Sequence, residues 1–162
     1  MEVQTFTSVQ CGVLTISDTR DLVTDQSGAL IEQKLKNAGH TCLARIVVKD
    51  ELREIHTGLT QLKDKGVFCL ITNGGTGIAR RDVTYEALKD QIQQEIPGFG
   101  EIFRMLSFNE IGSRAILSRA FAGFTAENVL LFCLPGSKNA CSTAMERLIL
   151  PELPHVYFER HK

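Results

Sequence analysis

The chain has 162 residues, 18 Lys and Arg against 19 Asp and Glu, and a formal charge of −1; at this size one domain buries about 70% of its unfolded surface without disulfides or metal. No basic tail or Lys/Arg run marks a nucleic-acid partner, and no apolar run nears membrane-spanning length. The opening Met1-Glu2-Val3-Gln4-Thr5 lacks the order of a signal peptide, while Cys11, Cys42, Cys69, Cys133 and Cys141 form no CxxC and lie mostly in apolar runs, so a soluble protein of the reducing cytoplasm is expected, with residues 1–162 as a single domain.

Residues 11–16 form a β-rich apolar run that opens into Ser17-Asp18-Thr19-Arg20. Small hydroxyls and a carboxylate at a strand end serve either turn chemistry or a ligand. Leu30, Ile31, Leu35 and Ala38 then share a face at helical spacing, with Asp25 or Ser27 to cap the start and Gly39 to stop the helix. His40 reads as a loop residue with no partner at metal-ligand spacing. Residues 41–48 read as a second strand, and Leu52, Ile55, Leu59 and Leu62 as one face of a second helix reaching about Lys65. Asp50, between them, is either that helix's N-cap or a functional carboxylate. His56 reads as solvent-facing or packed.

A short apolar run at 67–72 suits a strand covered on both faces. It breaks into Asn73-Gly74-Gly75-Thr76-Gly77, followed by Arg80, Arg81 and Asp82. Glycines there allow positive φ and close approach of a ligand to backbone N–H groups, a cradle for anions. No Walker lysine and no GxGxxG spacing accompany it. The alternation of strand and helix predicts βαβ crossovers and a mostly parallel sheet, with Asp18, Asp50 and Asp82 emerging at one edge around the cradle, an arrangement that suits a Mg²⁺–nucleotide site.

Downstream, Asp82 or Thr84 is placed to cap a helix, Pro97-Gly98-Phe99-Gly100 reads as punctuation, and Phe99, Ile102, Phe103 and Leu106, widened by Met105 and Phe108, form an apolar stripe that serves either the core or a subunit interface. Residues 116–124 and 128–134 read as a hairpin, or as an edge strand beside a buried one. Pro135-Gly136-Ser137-Lys138 then offers N–H groups, a hydroxyl and a lysine to an anion before a helix over 140–150, with Pro151 and Pro154 punctuating the tail.

Five stretches together resemble the MoaB/MogA family of molybdenum-cofactor biosynthesis proteins, and the gephyrin G domain is similar: Gly12-Val13-Leu14-Thr15-Ile16-Ser17-Asp18, Thr72-Asn73-Gly74-Gly75-Thr76-Gly77 through Arg81-Asp82-Val83-Thr84, Pro97-Gly98-Phe99-Gly100, Leu117-Ser118-Arg119, and Leu134-Pro135-Gly136-Ser137-Lys138. The resemblance covers nearly the whole chain in order. It implies a three-layer α/β molybdopterin-binding fold, a trimer or hexamer, and transfer of an adenylyl group from Mg²⁺-ATP to molybdopterin with release of pyrophosphate. Asp50 and Asp82 match the two acidic residues that matter most in active members and are assigned to catalysis and Mg²⁺ binding. Thr15, Ser17 and Asp18 match the nucleotide side, Gly74, Gly75, Thr76 and Gly77 the phosphate cradle, and Gly136, Ser137 and Lys138 the pterin phosphate. A molybdenum-insertion protein is carried as a candidate partner. Asn73 departs from the usual Thr or Ser, and Tyr85 from the proline that commonly follows Asp-Val-Thr. A non-catalytic molybdopterin carrier or scaffold would share the fold and the glycine turn, and the same fold occurs in competence/damage-inducible domains acting on other nucleotides.

Overall fold

A computed structural model describes residues 6–162; residues 1–5, on which the reading of the N-terminus rests, lie outside the described residues. Six strands form one sheet in the order β2-β1-β3-β6-β5-β4: β1 Gln10–Ile16, β2 Thr41–Val48, β3 Cys69–Asn73, β4 Ile92–Glu95, β5 Phe121–Thr125 and β6 Leu130–Leu134. β1 pairs in parallel with β2 and β3, and β3 in parallel with β6. β5 and β4 complete the sheet antiparallel. The helices are α1 Gln26–Asn37, α2 Leu52–Asp64, α3 Thr84–Lys89, α4 Pro97–Ile111, α5 Lys138–Ala144 and α6 Leu150–Arg160.

Alternation along β1 divides the core in two, because successive side chains leave opposite faces of a strand. Cys11 and Val13 face Ile31 and Leu35 of α1, Phe99 and Phe103 of α4, and Cys141, Met145, Ile149 and Leu153 of the C-terminal helices. Leu14 and Ile16 face Ile55, Leu59 and Leu62 of α2 and Ala87 and Leu88 of α3. Each such fully buried aliphatic side chain contributes about 1.5–3 kcal/mol. The result is the expected three-layer α/β architecture, helices covering both faces of a mostly parallel sheet.

Several local expectations are corrected. Leu52 opens α2 but is 53% exposed. Residues 97–100 are no break: they form the first turn of α4, with Pro97 at a starting position where a missing N–H costs nothing. Ile116 and Leu117 lie in a 3₁₀ helix, Gly112–Leu117, ahead of the β5–β6 hairpin rather than in a strand. Pro151 and Pro154 lie within α6, which follows α5 through a π-helical turn at Met145–Ile149. His40 is a loop residue as expected, yet buried, its Nδ1 accepting the Val9 N–H at 3.0 Å, and burial pushes its pKa down. His56 is exposed.

Candidate active site

Four parallel strands end at the same sheet edge, so the loops after β1, β2, β3 and β6 meet. Backbone bonds stitch them together: Ser17 N–H to Val48 O at 2.8 Å and Gly74 N–H to Leu134 O at 3.1 Å. Between them lies a cleft of about 570 Å³, lined among others by Ser17, Asp18, Asp50, Asp82, Gly136 and Ser137 together with the whole glycine turn.

That turn is glycine for a reason visible at two positions. Gly74 has φ +97, and a Cβ there would strike the carbonyl oxygen of Ile16. At Gly75, φ +69, a Cβ would strike the Thr84 hydroxyl and come within 2.9 Å of Asp50 Oδ2. Both sit in the left-handed region open to glycine. Thr76 is buried, and Arg119 supports the far side of the turn, donating from Nε to Thr76 O at 3.2 Å and from Nη2 to Gly77 O at 2.5 Å.

The carboxylates occupy one rim. Asp50 does not cap α2, whose N-cap is Glu51 without a side-chain bond. Instead Asp50 Oδ1 accepts the Thr84 hydroxyl at 3.1 Å, and its N–H donates to Asp18 Oδ1 at 3.1 Å. Burial raises the Asp50 pKa above its ordinary value, opposed by the Thr84 and Val83 bonds and reinforced by the charges of Asp82 and Asp18. Asp82 does not cap α3 either; its Oδ2 accepts the Ala79 N–H at 3.0 Å, closing the loop below the glycine turn. Asp18 pairs with Arg81. Arg81 therefore reaches the cleft, whereas Arg80 is outside its lining.

The three aspartates thus share the rim without converging: among the described residues, no group of three or more His, Cys, Asp or Glu forms a metal cluster. Two further assignments shift. Thr15 is fully buried behind the cleft, donating to Asp25 Oδ2 at 2.7 Å and accepting from Asn73 Nδ2 at 2.8 Å. Lys138 stands on the exposed first position of α5, beside rather than within the lining, while Ser137 caps that helix by accepting the Ala140 N–H at 3.1 Å. Arg20, Phe103, Ser107, Arg114 and Ser118 line the cleft without having been singled out as ligand contacts. Arg20 closes the Ser17-Asp18-Thr19-Arg20 strand end, and Ser118 lies in the Leu117-Ser118-Arg119 stretch, so both had a signal in the sequence. The Ser118 hydroxyl is buried with no partner among the described residues.

Both departures from the family pattern act from behind the wall. Asn73 is buried and reaches Thr15, and Tyr85 packs edge-on to Phe121 at 5.3 Å with Arg119 4.6 Å above its ring. Neither lines the cleft.

A family model described as a probable molybdopterin binding domain matches residues 12–155. The chain is 50% identical over 154 residues to the molybdenum cofactor biosynthesis protein B of Halalkalibacterium halodurans, covering 94% of this chain and 90% of that protein. Its fold matches a crystal structure of a molybdenum cofactor biosynthesis protein B with TM-score 0.91 at 47% identity, covering 98% of this chain and 99% of that one. The tungsten cofactor synthesizing protein MoaB from Pyrococcus furiosus matches with TM-score 0.88 at 33% identity, over 98% of this chain and all of that one (100%). Agreement in sequence and fold over nearly the full length of these proteins means that the chain belongs to the MoaB/MogA family and to molybdenum cofactor biosynthesis.

Proposed function

We propose that the chain adenylylates molybdopterin. The observation that carries this reading is that Asp50 and Asp82 line the same cleft as the glycine turn, with Asp50 drawn away from helix capping and held by Thr84. A terminal phosphate oxygen of molybdopterin attacks the α-phosphorus of ATP; the new P–O bond forms as the bond to the β-phosphate breaks, and pyrophosphate leaves with the electron pair. The attacking phosphate is already ionised at neutral pH, so no general base is needed, and the demand is to bring two anions together in line. N–H groups of residues 75–77 screen that charge, Arg81 adds a cation at the rim, and Asp50 and Asp82 orient the phosphates. Asp50 and Asp82 would hold Mg²⁺ through their carboxylate oxygens, the donor type that ion takes. When bound, Mg²⁺ supplies neutralisation of the phosphate charge.

The same reading takes residues 1–162 as one molybdopterin-binding domain working in the cytoplasm as a trimer or hexamer, handing its product to a molybdenum-insertion protein. Self-association is supported by the apolar side chains that α4 and the 3₁₀ turn leave in water, among them Met105 at 56%, Phe108 at 58% and Ile116 at 80% exposure. No helix among the described residues is long and apolar enough to cross a membrane.

The test is formation of adenylylated molybdopterin and pyrophosphate from Mg²⁺-ATP. Wild type is expected to turn over, and Asp82→Asn to lose about 100-fold or more, the scale of a lost electrostatic contact at a reacting centre. Wild type that binds molybdopterin but yields no pyrophosphate sinks the adenylyltransferase reading and leaves a carrier.

A further inference from the structure

Behind the cleft lies a buried polar hub whose role the fold alone does not explain. Asp25, with a side chain 0% exposed, caps α1 by accepting the Gly28 N–H at 2.9 Å. It also accepts the Thr15 hydroxyl at 2.7 Å and Arg45 Nη1 at 3.0 Å, and Arg20 Nη1 stands 3.6 Å from its Oδ1. One buried anion thus holds two guanidinium groups that would otherwise repel each other. Two lines leave this hub for the site. Through Thr15 it reaches Asn73, the residue before the glycine turn. Through Arg20 and the first turn of α1 it reaches the loop after β6: Arg20 Nη2 at 3.2 Å and the Ser27 hydroxyl at 2.7 Å both donate to the carbonyl oxygen of Gly136.

That doubly held carbonyl matters because a peptide unit is planar and trans. Fixing the Gly136 oxygen on Ser27, a buried residue outside the cleft lining, turns the Ser137 N–H of the same peptide to the opposite side. A peptide free to rotate would present its carbonyl to the cleft and repel a phosphate there. The position is also tight, since a Cβ on Gly136 would lie 3.0 Å from Arg20 Nη2 and 3.2 Å from Gly74 Cα.

We propose that Asp25 is a positioning residue for phosphate recognition, acting through the first turn of α1 and Ser27 to keep the Gly136 carbonyl turned from the cleft, while Arg20, at the cleft wall, steadies the same oxygen. This rests on the reading of residues 135–137 as the part that holds the pterin's phosphate. Asp25 and Ser27 touch no ligand in this scheme; they set which face of a peptide the ligand meets.

The experiment compares equilibrium binding of molybdopterin and its dephosphorylated form by wild type, Ser27→Ala and Asp25→Asn. Wild type is expected to prefer the phosphorylated form, and both variants to lose that preference by about five- to tenfold, the scale of the net contribution of one hydrogen bond. Affinity for the dephosphorylated form stays within about twofold, a split that general loosening of the fold does not produce. Ser27→Ala carries the test if Asp25→Asn fails to fold, because it removes one hydroxyl and leaves the buried charges paired. A preference undiminished in folded Ser27→Ala overturns the proposal while the phosphate reading stands. Wild type binding both forms equally overturns that reading and the proposal with it.

Discussion

Asp50 answers to two opposed demands, a charge useful at the cleft and a site that disfavours charge. Burial raises its pKa from the ordinary 3.8. Between that value and the raised one, the native chain holds more protons at this site than the unfolded chain, so stability falls as pH rises through the window. At neutral pH the ionised form is the costly one. Asp50→Asn is therefore expected to melt no lower than wild type at pH 7, with the difference closing below pH 3.8, while turnover falls about 100-fold; thermal melts at the two pH values beside an activity assay check it. A variant that melts well below wild type at pH 7 refutes this account of the site. In the sequence Asp50 had two readings, and position alone favoured the cap. Capping was decided by the backbone at Glu51 and by a hydroxyl at Thr84, distant in the chain. Asp25 shows the reverse case: its cap was legible, while its bonds to Thr15 and Arg45 depend on strands meeting in space.

Among the elements, α4 shows why an apolar stripe can be read while its destination stays open. Phe99 and Phe103 are 8% and 1% exposed, yet Ile102, Met105, Phe108 and Ile111 on the next face are 46–58% exposed. Spacing identified the helix, but one stripe had to serve two destinations. Phe103→Ala is expected to cost about 3–5 kcal/mol in urea denaturation, whereas Ile102→Ala, measured in the dissociated chain, costs under about 1 kcal/mol. Equal losses would mean that the two faces are not distinguished as described. Strand β4 went unread because Ile92-Gln93-Gln94-Glu95 is short and polar, held to β5 at an edge where alternation is not enforced. The prolines misled as well: Pro97 sits in the first turn of α4, where a missing donor is harmless, and Pro151 and Pro154 lie in α6, which runs on from α5 through the π turn.

At the scale of the whole molecule, the exposed face of α4 and the 3₁₀ turn adjoins the cleft, since Ile111 and Leu117 line it. If that face joins copies of the chain, a charge within it separates them without unfolding them. Met105→Glu with Phe108→Glu is expected to give monomers by light scattering, with unchanged far-UV circular dichroism. An undiminished mass would place the assembly surface elsewhere. The mostly parallel sheet was legible because parallel strands covered on both faces must be apolar along their length, as β1, β3 and β6 are, whereas their order was not.

The strand order also governs when the cleft comes into being. β1 sits between strands that follow it along the chain, and β3 finds its other partner only at β6, whereas β5 and β6 form a local hairpin. Pairings distant in sequence close slowly. The hairpin can form early, but the cleft, walled by residues from Ile16 to Ala140, waits for the last parallel pairing. On refolding, ligand binding should therefore return in a single late phase, after most helical signal has recovered, and a ligand can stabilise the finished protein without guiding the chain toward it.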